Sequence, residues 1–368
     1  MATTKTRLAI VRERYDARGG PERFMAGVLP ALEAAGFEPT LISRSAEDWR
    51  ARRLLRVDPP GVGRLWREAS FARAARAAWR RQGFDLVQSH ERISGCDVYR
   101  AAVPLAAAAG AMSGPYARYV HAAEKEMFEH PRLRAVVCAS QRLRETIHHA
   151  YRIPPERLHV IYDGVDLERF HPREREARRG AARAELGVHQ RDTVFAFVGR
   201  GFAEKGLGAA IDALAATGAR HLWLVVAGED PDSERFAARA RQAGIAERVR
   251  FLGPSGDLRA VYGAADCLLL PARSDAFPDG VLEALAMGLP ALVGRRCGAA
   301  EILSAGQDGW LCDPVDTLGL ARLLGEADQA MRDDSMREAA RASAMRFGLA
   351  ETAKQLTELY QALARSQV

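Results

Sequence analysis

The sequence predicts an α/β protein made of two doubly wound parallel sheets, side by side and facing a cleft. Three observations lead there. Short apolar runs alternate with helix-like stretches from end to end, as repeated βαβ units require. At 368 residues and 48% hydrophobic content, the chain is long and apolar enough for two domains. The charged stretch HPREREARRGAARAELGV (171–188) follows a turn-rich segment and splits the alternation into halves, with the linker near 165–175.

In the first half, TRLAIV is a strand run that leads through a loop with Gly19-Gly20 into PERFMAGVLPALEAAG, whose apolar residues fall at helical spacing. PTLIS (39–43), FDLVQS (84–89), AVVCAS (135–140) and LHVIYDGV (158–165) follow as further strands. The second half repeats the plan with TVFAFVG, LWLVVAG, RVRFLG, ADCLLLP and LPALVG, each succeeded by a helix-like segment. RFGLAETAKQLTELYQALARS reads as one amphipathic helix. The expected domains are therefore 1–170 and 171–348, with a helix at 349–368 returning towards the first.

Composition excludes several classes. The five cysteines are scattered, with no C-x-x-C and no Cys/His cluster, so neither a disulfide framework nor a zinc site is expected and a reducing cytoplasm fits. The run LAIV is too short for a signal peptide, and AAVPLAAAAGAM is too short to span a bilayer. The net charge of +6 is uneven: residues 1–170 hold 28 Lys and Arg against 20 Asp and Glu. The excess peaks at 44–81, where 11 arginines meet 4 acids and Trp49, Leu54, Leu55, Trp66, Phe71 and Trp79 are interleaved. Such a segment is a solvated basic helix face or one that lies on an anionic membrane. No helix-turn-helix, zinc-finger or RNP signature accompanies it, and nucleic acid is not an expected partner.

In doubly wound sheets, ligands bind beyond the carboxyl ends of strands, so the post-strand loops carry the chemistry. ARGGPER (17–23) sets two glycines before a helix, where backbone can approach a phosphate closely. VGRGFAEKG (198–206) brackets a Gly-rich loop with Arg200 and Lys205, two cations able to clamp a diphosphate. In VAGEDPDSE (226–234), Asp230-Pro-Asp232 has the look of a metal-binding D-x-D, but Pro between acids after a strand is more often a turn, and no metal site is expected. SDAFPDGVLEALAMG (274–288) places Asp275 before a helix start at Pro278 and Asp279-Gly280, and Glu283 one turn inside it.

Together these pieces resemble the GT-B glycosyltransferases of the large retaining family that uses nucleotide sugars and bears an E-x7-E element, family 4. GGPER, VIYDGVDLERFHP, VGRGFAEKG, VAGED, RVRFLG and ARSDAFPDGVLEALAMGLPALV stand in the family's order over nearly the whole length. Asp275 replaces the usual first Glu, one methylene shorter, and Ala276 stands where Gly is common. The resemblance implies two Rossmann-like domains, the second binding the nucleotide sugar. It assigns Glu283 to the ribose hydroxyls and Asp275 to the donor hexose. It assigns the backbone of Phe277, Pro278, Asp279, Gly280 and Val281, with Arg200 and Lys205, to the departing diphosphate. Gly19 and Gly20 would meet the same phosphates from the first domain, and Leu252 would offer backbone to the uracil ring.

SHERISGCDVYRAA (89–102) is similar, more narrowly, to a segment of the lipopolysaccharide core heptose glucosyltransferases, which act at the cytoplasmic membrane face. Asp97 is then a contact for donor or acceptor, or merely a helix cap. For the first-domain His that the family often sets near the transferred sugar, His121 is preferred to His90 and Arg92.

The resulting expectation is a cytoplasmic hexosyltransferase, peripheral on the inner membrane. It moves a hexose from a UDP-sugar to a glycan or glycolipid acceptor such as inner-core heptose, with retention and without a metal or other cofactor. The alternatives are a relative acting on a small soluble acceptor, and a nucleotide-sugar-binding protein without turnover.

Overall fold

The computed structural model describes residues 5–16, 19–47, 49, 52–102, 105 and 113–365. Ala17, Arg18 and Arg50 lie outside them, as do most of AAVPLAAAAGAM and the last three residues of the C-terminal stretch. The chain divides into two units, one of residues 1–164 with 349–368 and one of 165–348. The first boundary falls six residues before the expected 170 because Val165 pairs with Gly348, which ties both crossings together at one point.

The first unit runs β1 (Thr6–Val11), β2 (Arg14–Asp16), α1 (Gly20–Ala34), β3 (Phe37–Ser43), β4 (Ser45–Glu47), β5 (Arg53–Arg56) and α2 (Gly63–Gln82). It continues through β6 (Leu86–Ser89), β7 (Val98–Ala101), α3 (Pro115–Glu129), β8 (Ala135–Cys138), α4 (Gln141–Tyr151) and β9 (Leu158–Val160). Seven strands form one parallel sheet in the order β5-β3-β1-β6-β7-β8-β9, and β2 pairs only with β4.

The second unit runs α5 (Pro172–Leu186), β10 (Thr193–Val198), α6 (Leu207–Ala216), β11 (Leu222–Ala227), α7 (Ser233–Gln242), β12 (Val249–Gly253) and α8 (Leu258–Ala264). Then come β13 (Cys267–Leu270), α9 (Asp279–Ala286), β14 (Ala291–Gly294), β15 (Gly309–Cys312), α10 (Thr317–Ala330) and α11 (Ser335–Met345). Its parallel sheet has the order β12-β11-β10-β13-β14-β15, the doubly wound pattern in which the order reverses between β10 and β13. Helices cover both faces of such a sheet, so its strands read as unbroken apolar runs; TVFAFV of β10 is buried at every position.

The last helix, α12 (Leu349–Arg365), belongs to the first unit. Ala353, Leu356 and Tyr360 join the core formed by α1 and the sheet, with Tyr360 edge-on to Phe37 at 6.1 Å. All five cysteines are buried thiols. Among the described residues no helix is long and apolar enough to cross a membrane.

The structure corrects the reading of 44–81 as one basic helical face, because the segment is β4, the edge strand β5 and α2. Several of its charges are already balanced. Arg44 pairs with Glu13 and Asp58, Arg52 with Glu33, Arg53 with Glu38 and Arg64 with Glu68. Phe71 and Trp79 are core residues, and Trp49 packs edge-on to Tyr15, which leaves Leu54, Val62 and Trp66 as the exposed large apolar side chains.

Asp97 is also corrected. It precedes β7, at the amino end of the sheet and away from the ligand-bearing edge. There its carboxylate accepts the Val87 N–H of β6 at 2.8 Å and two bonds from Arg132, so it is a buried brace and neither a sugar contact nor a helix cap.

Candidate functional site

In the second unit, the loops leaving β10 and β13 sit where the strand order reverses, and they are joined directly. Arg273 N–H donates to the Glu204 carbonyl at 3.1 Å. Gly206, with φ of 84°, lets the first loop lie on the second: a Cβ there would stand 2.0 Å from the Pro271 oxygen. A third loop joins them at Gly228, with φ of 147°, where an added Cβ would strike the Gly199 carbonyl at 1.8 Å. Asp230 braces the same junction, accepting the Phe202 N–H at 2.7 Å and the Asp232 N–H at 2.8 Å. With both carboxylate oxygens so engaged, Asp230-Pro-Asp232 serves as the turn the sequence suggested.

This stacking brings Lys205 against Asp275, with Nζ 2.7 Å from Oδ2 and both side chains about four-fifths buried. Burial disfavours the ammonium, but the charge and hydrogen bond of Asp275 outweigh it, and the Lys205 pKa lies above its ordinary value. Lys205 is therefore a fixed cation at neutral pH. The backbone of Asp275 is itself anchored, its carbonyl accepting the Gly298 N–H at 2.9 Å.

Eight residues on, Glu283 is buried on α9, and its Oε2 accepts the Tyr262 hydroxyl at 3.0 Å. Tyr262, on α8, is fully buried and was not singled out in the sequence; an aromatic three residues into AVYGAAD gave no sign that its hydroxyl would meet an acid twenty-one positions later. It holds one carboxylate oxygen in place. At the start of α9, Phe277 and Pro278 are buried, and the Val281 N–H turns back to the Pro278 carbonyl at 3.0 Å, so this group closes the turn and is not presented outward. Gly280 N–H has no protein acceptor among the described residues, and Asp279 lies in the same first turn. Arg200 and Leu252 are exposed at the carboxyl ends of β10 and β12. Lys205, Asp275, Glu283 and the α9 start thus gather along one edge of one sheet.

The first unit presents a different edge. Gly19 caps α1 and Gly20 begins it, but a Cβ on Gly19 would lie 2.0 Å from the Glu22 carboxylate, which is buried and paired with Arg12 at 2.9 Å. That helix start already holds an anion of its own. Arg12 also reaches Glu91 at 3.4 Å. His90, immediately past β6, is buried with its Nε2 2.7 Å from the Gln88 amide; burial, then the charges of Arg12 and Arg100, push its pKa well down and keep the ring neutral. His121, the histidine preferred from sequence, is exposed on α3. The histidine at the reversal of strand order between β1 and β6 is His90.

Residues 18–169 match the family model Glycosyltransferase Family 4, and residues 179–346 match Glycosyl transferases group 1. The chain belongs to the GT-B glycosyltransferases. This glycosyltransferase is 26% identical over 327 residues to the lipopolysaccharide glucosyltransferase WaaG of Escherichia coli (strain K12), a match spanning 85% of this chain and 87% of that one. It is 33% identical over 241 residues, 61% of its length, to the D-inositol 3-phosphate glycosyltransferase of Corynebacterium glutamicum (strain R), and spans only 56% of that relative. The crystal structure of WaaG shares the fold with a TM-score of 0.86 at 24% identity, over 96% of this chain and 99% of that one. The structure of Anabaena Alr3699/HepE in complex with UDP-glucose does so with a TM-score of 0.78 at 18% identity, over 97% and 99%.

Proposed function

We propose that the enzyme transfers a hexose from a UDP-sugar to a glycan or glycolipid acceptor with retention of configuration. The observation that carries the reading is the cluster at the β10–β13 edge, which supplies one acid for each part of a nucleotide sugar and a cation paired with one of them. Glu283, steadied by Tyr262, accepts the ribose hydroxyls. Lys205, Arg200 and the Gly280 N–H receive the diphosphate, whose charge rises as the glycosidic bond breaks. Lys205 leaves Asp275 for the phosphate, and Asp275 is then released to accept hydroxyls of the hexose. With Asp275 given to the hexose hydroxyls and Glu283 to the ribose, neither carboxylate is assigned to the back face of the sugar, so the acceptor attacks from the leaving-group side and its proton passes to the departing diphosphate.

Two cations already at the leaving group do the work often given to a divalent ion, and transfer is metal-independent. The acceptor is inner-core heptose, a reading supported by the likeness to WaaG. The inositol phosphate relative favours a second reading, a small soluble acceptor. Contact with an anionic membrane narrows from the whole of 44–81 to the exposed Leu54, Val62 and Trp66 with the arginines beside them.

The test is transfer or hydrolysis of UDP-hexoses in EDTA, with UDP affinity measured in parallel. Activity should persist in EDTA, and Glu283→Ala should weaken UDP by about 1–3 kcal/mol, the range for a lost hydrogen bond to a charged group. Undiminished UDP affinity in Glu283→Ala would remove the assignment. Absence of any turnover despite UDP-sugar binding would leave the chain a binding protein.

A further inference from the structure

Between α2 and α3 of the first unit lies a cavity of about 490 Å³, which shares only Arg92 with the site residues weighed above. Small side chains make it: alanines face each other from both helices, Ala72 and Ala77 on one and Ala122 and Ala123 on the other. Its walls are charged. Arg73, Arg76 and Arg80 recur at helical spacing along α2, and Arg92 enters from the loop after β6.

The positive charge here exceeds what the protein neutralises. Arg92 is matched by the buried Glu124, at 2.7 Å. Arg76 shares Glu126, at 3.3 Å, with the Ser94 hydroxyl, yet its own Nε–H is buried with no acceptor among the described residues. Arg73 and Arg80, both solvent-exposed at the open mouth of the hollow, have no carboxylate partner among the described residues. Two guanidinium charges therefore remain over a hollow floored by methyl groups, with a buried donor waiting beside them. A tetrahedral dianion with three acceptor oxygens fits that demand, since planar guanidinium forks engage such oxygens in pairs.

We propose that this cavity is a phosphomonoester site, separate from the donor cluster, held by Arg73, Arg76 and Arg80. The phosphate belongs either to a free phosphorylated sugar or to a lipid headgroup.

The test uses the full chain, glucose 6-phosphate against glucose, and phosphatidic acid vesicles against neutral phosphatidylcholine vesicles. Arg73→Gln/Arg80→Gln should weaken the phosphate-bearing probe by about tenfold or more, as loss of charge-assisted bonds demands. Arg81→Gln/Arg118→Gln, an equal charge change at exposed arginines outside the cavity, should not. UDP affinity should be the same in wild type and both variants. Dependence seen with glucose 6-phosphate assigns the site to a phosphorylated acceptor, and dependence seen only with phosphatidic acid assigns it to a membrane lipid. Equal binding by wild type and Arg73→Gln/Arg80→Gln, or none to either probe, would overturn the proposal. A matching loss of UDP affinity would give the arginines to the donor and overturn it too.

Discussion

In the second unit, three post-strand loops are stacked on one another through Gly206 and Gly228, and the stack holds a Lys205–Asp275 pair and a Glu283 steadied by Tyr262. In the first, the corresponding edge is closed by Arg12 bridging Glu22 and Glu91 over a neutral His90, while unmatched charge lies aside, between α2 and α3. In the proposed function the second unit's edge exchanges partners with a ligand, whereas the first unit's is internally satisfied. Sequence motifs arise where a site is local. A site made by one helix and the loops beside it keeps its residues close in the chain, as 275–283 does. A site assembled from residues 12, 22, 90 and 91 leaves no spacing to recognise.

A matched pair of acids sharpens the comparison at the opposite ends of the sheets. Asp97 and Asp266 each precede a strand, accept the N–H of a neighbouring strand (Val87 at 2.8 Å, Val194 at 2.9 Å) and pair with arginine. If both are braces, Asp266→Ala, which strands the buried Arg183, should lower stability by about 3–5 kcal/mol, the loss expected when one partner of a buried ion pair is removed, and Asp97→Ala, whose partner Arg132 can reach water, by about 1–3 kcal/mol, the cost of leaving the buried Val87 N–H unsatisfied. Chemical denaturation measures it. A stable Asp97→Ala that has lost sugar transfer would restore Asp97 to the crevice.

The pH dependence of stability probes the closed edge. The His90 pKa is depressed in the folded chain, so the unfolded chain binds the proton more readily. Stability is whole above the ordinary histidine value of about 6.5 and falls as pH drops below it, by at most about 1.4 kcal/mol per pH unit for one group. His90→Gln should make the fall between pH 7.5 and 5.5 shallower, leaving the contributions of His159 and His171, whose pKa values are also lowered. An unchanged slope would mean that His90 titrates normally.

Removing only the support of Glu283 should have the smallest effect. Tyr262→Phe keeps the buried ring and takes away one neutral donor, and UDP affinity should drop by about 0.5–1.5 kcal/mol. A loss as large as that of Glu283→Ala would mean that the hydroxyl meets the ligand itself.

Much of the architecture was legible because parallel strands buried on both faces are written as runs such as TVFAFV and CLLL, and helices as 3.6-residue patterns between them. The gathering of Lys205, Asp275 and Glu283 at one sheet edge was legible from the loops that carry them. The basic segment 44–81 was misjudged because a charge count cannot show that Glu13, Glu33 and Glu38, distant in sequence, neutralise Arg44, Arg52 and Arg53. His90 and His121 could not be told apart by spacing, because burial and neighbouring cations, which distinguish them, are tertiary facts. Asp97 stood in a suggestive motif, but its position at the amino end of β7 follows only from where the strand starts.

In the proposed function the second unit divides a nucleotide sugar between two acids, Glu283 for the nucleoside and Asp275 for the hexose. Calorimetric titration of Asp275→Ala with UDP and with UDP-glucose separates the two roles. UDP affinity should stay close to wild type and UDP-glucose affinity should fall by about 1–3 kcal/mol, as for a lost charged hydrogen-bond partner. Equal losses for both ligands, or none for UDP-glucose, would contradict it.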